Sequence, residues 1–297
     1  NNNWDPGESN LNPNGPDFLE FTAHEFGGLP PKFVPNPDEK QVMYNELTVD
    51  FERELMANFS LRVTGIYSQT TNVLRHLNPF RPYEAYNIPI TRQDPGPDGR
   101  LGTADDGGMF TYYEYSPALQ GARFEQYRSF NDSRADQSFK TIEVASIKRL
   151  SNRWQMVASY SATKKNIPIG YVGLASATGF GTASPTFTIA GDQAGFYNPN
   201  VEINTNDQTW EWDGKLSGTY IFPAEVLVSA NYHHASGDPF ARQVRFTGGR
   251  TIPAMVLNVT PVGSYRRPNL NVVTARIEKR FALPRGQIGR ASGRERV

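Results

Sequence analysis

Alternating apolar and polar positions recur along this chain in paired segments, and each pair is joined by a short turn. The pairs cover about residues 42–70, 138–165 and 208–236, and a further alternating segment lies near 268–281. A period of two residues is typical of β-strands that have one apolar and one polar face. The pattern predicts an all-β, antiparallel chain of about seven strands, the last of which has no obvious partner after it.

The two faces of the first hairpin differ in chemistry. The apolar parity of its first strand carries Met43, Leu47, Val49, Phe51 and Leu55. The other parity carries Glu46, Asp50 and Glu52, and Arg62 lies on the corresponding face of the returning strand. Charges on one face and apolar groups on the other favour the wall of a transmembrane β-barrel, with a wet lumen inside and lipid outside.

The connections between strands alternate between short and long. Short turns are predicted at 56–58, 151–153 and 223–225, and long polar connections at 71–137, 166–207 and 237–267. An up-and-down membrane barrel has this layout, with short periplasmic turns and long extracellular loops. The β-like run 110–115, inside the first long connection, is interpreted as a strand extension above the membrane.

Aromatic residues fall on the apolar parity of several predicted strands. They are Tyr67, Tyr160, Trp210, Trp212, Tyr220 and Tyr232. Amphipathic rings concentrate at membrane interfaces, so we interpret these residues as parts of aromatic girdles. The alternative is the ordinary core of a soluble β-sandwich.

The two ends of the chain lack the alternating pattern. Residues 1–41 are rich in Asn, Pro and Gly and are expected to form an extracellular loop, followed by a partial barrel over 42–287. Residues 288–297 are basic and unpatterned, and they resemble the translated read-through of a sequencing adapter. This segment is expected to be a non-native tail without a strand, so the chain is expected to stop before the barrel closes.

Composition excludes several classes of protein. Formal net charge is zero, with 30 basic and 30 acidic residues, so a nucleic-acid partner is not expected. No apolar run approaches the roughly 18 residues of a spanning helix. The chain has 0 Cys, which excludes disulfides and thiolate metal sites.

An acidic, glycine-rich stretch at 94–108 is the best local candidate for a ligand site. Carboxylates spaced by glycines allow one loop to wrap oxygen ligands around a calcium ion. The expected ligands are Asp94, Asp98, Asp105 and Asp106, and Ca2+ is the only cofactor that the residues suggest. Its role would be to stiffen an extracellular loop. The alternative is a solvated cluster of turn residues.

No motif for catalysis stands out, and the chain is not expected to be an enzyme. Nucleophile-elbow, P-loop and dinucleotide signatures are absent. The four histidines, His24, His76, His233 and His234, lack metal spacing and an obvious acid–base partner. We interpret them as structural or exposed.

Several stretches of the chain carry a resemblance to a known family: 45–55 with 58–62, 148–155, 216–220 and 276–281. They resemble barrel strands of Oar-like TonB-dependent outer-membrane receptors, which carry an N-terminal carboxypeptidase-regulatory-like domain. Their order and spacing extend the resemblance over roughly residues 30–283. The resemblance implies a 22-stranded barrel of the class whose lumen is plugged, of which this chain would be an internal-to-late fragment. The plug, the TonB box and the final aromatic strand are not recognisable in it.

The resemblance also implies a location and a set of partners. The location is the bacterial outer membrane, and the partners are outer-membrane lipid, an unknown solute and the TonB energy-coupling complex, which acts through the plug. The solute would bind the long extracellular loops and then pass through the lumen. Two alternatives stay open: a secreted β-rich binding or adhesion protein stabilised by calcium, and a secreted β-fold hydrolase.

Overall fold

A computed structural model describes residues 34–169, 197–282 and 288–296 of the chain, with side-chain surroundings described up to residue 281. Predictions that concern 1–33, 170–196, 283–287 and 297 lie outside the described residues. The fold is all-β and antiparallel, as the alternating pattern predicted. None of the helices in this part of the chain reaches the length and apolarity needed to cross a membrane.

The strands are numbered in chain order. They are β1 (Met43–Met56), β2 (Phe59–Thr71), β3 (Leu74–Leu77), β4 (Tyr86–Gln93), β5 (Met109–Tyr115), β6 (Arg128–Asn131), β7 (Gln137–Ser151), β8 (Trp154–Asn166), β9 (Trp210–Phe222), β10 (Val226–Ala235), β11 (Pro239–Phe240), β12 (Gln243–Thr247), β13 (Ala254–Asn258), β14 (Tyr265–Arg266), β15 (Leu270–Ala282) and β16 (Ile288–Arg296). Short 3-10 helices lie at Tyr83–Ala85, Pro117–Leu119, Ala122–Phe124, Ser133–Ala135, Pro199–Glu202 and Pro223–Glu225.

One sheet of eight strands dominates the fold. Its order is β1-β2-β7-β8-β9-β10-β15-β16, and all neighbours are antiparallel. The three predicted hairpins and the seventh strand are confirmed. Within the described residues β1 and β16 each pair on one side only, so the sheet is open.

The prediction that the last part of the chain has no strand was wrong. Ile288–Arg296 forms β16 and pairs with β15, which places Gly289 opposite Phe281. The backbone of this segment can pair without an alternating pattern, because the exposed edge of β15 supplies the hydrogen-bonding groups. The non-native origin of the segment stays a prediction.

The short turns lie where the sequence predicted them. In the β7–β8 turn both Asn152 and Arg153 have positive φ, 51° and 68°. Two central residues with positive φ characterise a type I′ turn, whose twist matches that of the flanking strands. Asn58 and the pair Ala224 and Glu225 adopt positive φ in the other two turns.

The pairing register places the alternate, apolar positions of neighbouring strands on the same face of the main sheet. One cross-strand row of this face contains Leu61, Ser146, Ala158, Leu216, Tyr232 and Val273. Large residues of this face are exposed, for example Leu47 at 62%, Ile142 at 51% and Ile277 at 57%. We call it the apolar face; no second layer of described residues covers it.

The opposite face, here the polar face, holds every carboxylate of the seven strands from β1 to β15 in the main sheet. These are Glu46, Asp50, Glu52, Glu54, Glu143, Glu211, Asp213 and Glu278. The charged residues that the register places on the apolar face are basic: Arg53, Lys140, Lys148, Lys164 and Lys279. The acidic residues of these strands are therefore confined to the polar face, which also carries basic residues such as Lys165, Lys215 and Arg276.

All three long connections leave the main sheet at the same end of its strands, and the short turns lie at the other end. Their described parts, 72–136, 167–169 with 197–209, and 236–269, are here called the loop layer. The buried hydrophobic core lies in this layer and includes Tyr86, Tyr112, Phe246 and Leu257.

The interpretation of 110–115 as a strand extension was wrong. These residues belong to β5, which pairs with β4 in a separate two-stranded sheet. The segments that continue the main-sheet strands are β3 with β6 and β11 with β14. The alternation in 110–115 reflects packing against β12 and β13, because Phe110 and Tyr112 both contact Phe246.

Candidate functional site

Aromatic packing holds the first and third long connections together. The rings of Phe110 and Phe246 stack with centroids 5.5 Å apart, and Tyr86 meets Tyr115 edge to face at 5.6 Å. Such pairs each contribute about 0.5–1.5 kcal/mol beyond their buried area. The loop layer therefore has a core of its own and does not depend on the main sheet for one.

A buried carboxylate fixes one turn of the third connection. Glu114 is 4% exposed, and its Oε1 accepts hydrogen bonds from the backbone N–H groups of Thr251 at 2.8 Å and Ile252 at 2.6 Å. The Thr251 hydroxyl donates to the carbonyl oxygen of Tyr115 at 3.0 Å. These bonds satisfy a charge that would otherwise be costly to bury.

Asp94, the first of the four predicted calcium ligands, forms an ion pair with Arg242. Arg242 donates to both carboxylate oxygens, and its Nη1 lies 2.8 Å from Oδ1. The same Nη1 donates to the carbonyl oxygen of Gly96 at 3.1 Å. The hydrogen bonds from Arg242 outweigh burial and hold the pKa of Asp94 below its usual value. The guanidinium thus occupies the position that a cation would take at this carboxylate.

The other three predicted ligands cap turns of the same loop. Asp98 Oδ1 accepts from the N–H of Arg100 at 2.8 Å, and Asp105 Oδ2 accepts from the N–H of Asp98 at 3.1 Å. Asp106 Oδ2 accepts from the N–H of Gly102 at 2.7 Å. The hydroxyl of Thr103 donates to Asp105 and lowers its pKa.

These hydrogen bonds fold the loop, and they do not direct its carboxylates toward one common point where an ion could bind. Gly96 has a left-handed φ of 69°, and a Cβ there would strike the carbonyl oxygen of Asp105. In the part of the chain with described side chains, no three acidic or histidine groups converge as a metal site. Asp94 with its Arg242 partner does not fit a calcium ligand, and calcium binding by the remaining carboxylates stays a prediction.

A second charge network joins the first and second long connections. Arg75 Nη1 lies 2.9 Å from both Asp132 and Glu202, and Arg134 Nη2 lies 3.1 Å and 3.2 Å from the same two carboxylates. The side chain of Asp132 is 6% exposed. Two cations facing two carboxylates form a network that we call the Arg75–Arg134 network.

Aromatic rings surround this network. Both guanidinium groups, of Arg75 and Arg134, lie 4.8 Å from the ring centroid of Tyr197. The hydroxyl of Tyr83 donates to Glu202 at 3.2 Å. Burial of the phenol and, to a lesser extent, the negative charge of Glu202 raise the pKa of Tyr83. Burial alone would raise the pKa of Asp132, but hydrogen bonds from Arg134 and Arg75 outweigh it and lower the value.

A polar cleft of about 370 Å³ opens beside this network. Its lining consists of Asn36, Asp38, Lys40, Asn72, Phe130, Asn131 and Ser133. The amides of the cleft are already fixed: Asn131 donates to the carbonyl oxygens of Lys40 and Asn72, both at 2.8 Å. Asp38 and Lys40 are exposed and take part in no ion pair among the described residues. The cleft therefore offers a ligand one acidic side chain, one basic side chain and the aromatic ring of Phe130.

Charged pairs line the polar face directly below the loop layer. Lys165 forms ion pairs with Glu211 and, at 3.7 Å, with Asp207. The Nε2 atom of His233 lies 2.5 Å from Asp213, whose other oxygen lies 3.1 Å from Lys215. The sequence showed no acid–base partner for His233. The partner could be found only from the pairing register of β9 and β10, which places His233 opposite Lys215 and diagonal to Asp213.

The neighbouring histidine lies on the apolar face. The indole N–H of Trp212 donates to Nε2 of His234 at 3.1 Å, and Nδ1 of His234 lies 2.8 Å from Asn271 Oδ1. An indole only donates, so Nε2 must accept and Nδ1 carries the proton. Among the predicted girdle residues, Trp210, Trp212, Tyr67 and Tyr232 lie near the loop-side ends of their strands, whereas Tyr160 lies in the middle of β8.

The structure brings together the three long connections in which solute contacts were expected. The cleft lies between the first of these connections and the segment 36–40. The sequence could not identify the residues of this cleft, because they come from segments 36–40, 72 and 130–133. No family model, no curated protein and no solved structure matches the chain.

Proposed function

We propose that the main sheet is part of the wall of an outer-membrane β-barrel and that the loop layer captures a solute on the extracellular side. The observation that carries this proposal is the exposed apolar face, which continues across seven strands. Burial of such a face in hydrocarbon is the layout of a transmembrane barrel, in which apolar residues face lipid and polar residues face the lumen.

The location of the hydrophobic core supports the same proposal. In a soluble sandwich the apolar parities of the strands pack inward and form the core. In this chain the described core lies in the loop layer, while Phe51, Ile142 and Ile277 are 59%, 51% and 57% exposed. An uncovered apolar surface of this extent marks a contact with membrane or partner, since soluble monomers rarely expose one.

The resemblance to Oar-like TonB-dependent receptors supports the more specific part of the proposal. Transport would then depend on a plug and on the TonB energy-coupling complex, which act on the barrel as a whole. The contribution of this chain would be a segment of wall and a segment of the solute-binding surface. The cleft beside Phe130, with Asp38 and Lys40 free to bind, is the first place where we expect the solute.

A matched pair of substitutions on β7 tests the membrane assignment. Val144 lies on the apolar face and Ala145, its neighbour, lies on the polar face. Arginine on the lipid face at mid-depth costs about 2–4 kcal/mol, whereas lumen positions tolerate it. We therefore expect Val144→Arg to reduce the fraction of chain that resists alkaline extraction from an outer-membrane fraction, and Ala145→Arg to leave it nearly unchanged.

The same experiment separates the two main alternatives. A chain that appears in the soluble periplasmic or secreted fraction, with no difference between the two variants, would contradict the barrel proposal. That result would favour the secreted β-rich binding protein instead.

A further inference from the structure

Two lysines lie directly opposite each other on the apolar face. Register pairs Lys140 of β7 with Lys164 of β8, and the row continues to Tyr67 on one side and Trp210 on the other. Residues directly opposite in antiparallel strands have Cα atoms about 4.5–5.5 Å apart. The row thus presents two adjacent ammonium groups between two aromatic side chains.

This row marks the border of the apolar face. The next row toward the loop layer is polar: Asn45, Gln69, Ser138 and Asn166. The next row toward the short turns is Val49, Gly65, Ile142, Ala162 and Trp212, which carries no charge. In a membrane this border lies at the depth of lipid headgroups, where Tyr and Trp are also favoured.

Neither ammonium group has a carboxylate partner among the residues that the structure describes. Like charges placed directly opposite destabilise a sheet unless something compensates for them. Every acidic residue of the seven strands lies on the polar face, where Glu211 pairs with Lys165. Lys164 donates to the carbonyl oxygen of Gln208 and lies 5.9 Å from the ring centroid of Trp210, while Lys140 is exposed and has no ion-pair partner among the described residues.

We propose that Lys140 and Lys164 bind the phosphate group of a membrane lipid on the loop side of the sheet. This inference rests on the proposed function, because it places the apolar face in a bilayer. Each ammonium supplies three donors, and a phosphate accepts from both at once. The anion cancels the repulsion within the pair, and Tyr67 and Trp210 contact the glycerol or sugar region at the same depth.

The binding of a lipid phosphate can be measured by identifying the lipids that stay bound to the purified chain. The chain is reconstituted in phosphatidylcholine vesicles that contain a minor fraction of phosphatidic acid, then extracted in mild detergent, and the lipids that stay bound are identified by mass spectrometry. We expect a preference for phosphatidic acid, which falls in Lys140→Gln/Lys164→Gln by roughly fivefold per lysine, or roughly 30-fold for the pair. Lys140→Arg/Lys164→Arg should keep the preference, because both charges remain.

Two controls make the outcome decisive. The variant Lys215→Gln/Arg276→Gln removes the same charge from the polar face and should not change the preference. An excess of inorganic phosphate should not displace the lipid, since the phosphate alone lacks the contacts of the acyl chains; displacement would overturn the lipid assignment in favour of a free phosphate site.

Insertion is scored separately, by protease protection in vesicles of phosphatidylcholine alone. If the chain inserts but Lys140→Gln/Lys164→Gln keeps the preference for phosphatidic acid, the phosphate site is overturned and the proposed function is left intact. A chain that does not insert overturns both.

Discussion

At the scale of single residues, the hydroxyl of Tyr112 differs from the other buried polar side-chain atoms in the described part of the chain, which have hydrogen-bond partners. The side chain of Tyr112 is fully buried in the aromatic core, and its hydroxyl has no hydrogen-bond partner among the described residues. Burial raises the pKa of Tyr112, as expected for a phenol removed from water. An unsatisfied buried group costs about 1–3 kcal/mol, so this hydroxyl weakens the core that its ring stabilises.

We therefore predict that Tyr112→Phe preserves or increases the stability of the loop layer, by up to about 1 kcal/mol. Tyr112→Ala should reduce it by about 3–5 kcal/mol, because it leaves a cavity among Phe246 and its neighbours. Hydrogen exchange of the β4, β5, β12 and β13 amides reports both changes. A clear loss of protection in Tyr112→Phe would mean that the hydroxyl has a partner, such as a buried water.

At the scale of elements, the Arg75–Arg134 network connects segments that are far apart in sequence. It links β3, the turn after β6 and the 3-10 helix Pro199–Glu202. Because the pKa of Asp132 is lowered in the folded protein, this carboxylate contributes stability above its unfolded pKa of about 3.9. That contribution is lost as the pH falls through the lower, folded value.

We predict that amide protection in 130–136 and 199–203 declines below about pH 4, after correction for intrinsic exchange rates. Asp132→Asn should lower the protection at neutral pH and remove most of its acid dependence. Asp38→Asn changes an exposed aspartate that forms no ion pair with any described residue, so this variant serves as the control and should behave like the unmodified chain. Equal acid dependence in Asp132→Asn would assign the effect to other carboxylates.

The same elements explain which parts of the fold could be predicted. The main-sheet strands repeat every two residues and their turns are short, so periodicity alone located β1, β2 and β7 to β10. The loop layer depends on pairings such as Asp94 with Arg242 and Glu114 with Thr251, which are about 140 residues apart in sequence. No local pattern encodes such pairings. The acidic loop resembled a calcium site because its carboxylates are spaced by glycines, and the sequence could not show that Asp94 is paired with the distant Arg242.

At the scale of the whole molecule, the arrangement of charge fits the dimensions of a bilayer. From Lys140 to Lys148, β7 advances eight residues across the apolar face, which is about 26 Å along the strand. With a barrel tilt of about 40° this corresponds to about 20 Å of depth, and lysine side chains extend the span by reaching toward both headgroup regions. Lys148 does so by donating to the carbonyl oxygen of Arg149 at 2.9 Å.

Alternate positions of β8 report whether the apolar face contacts lipid and the polar face contacts water. The chain has 0 Cys, so single cysteines at Ala158, Ser159, Tyr160 and Ser161 can each carry a fluorescent label. In membranes we expect labels at 158 and 160 to be quenched by nitroxides on lipid acyl chains, and labels at 159 and 161 by aqueous iodide. Quenching without this alternation, or no quenching by lipid at 158 and 160, would contradict the account.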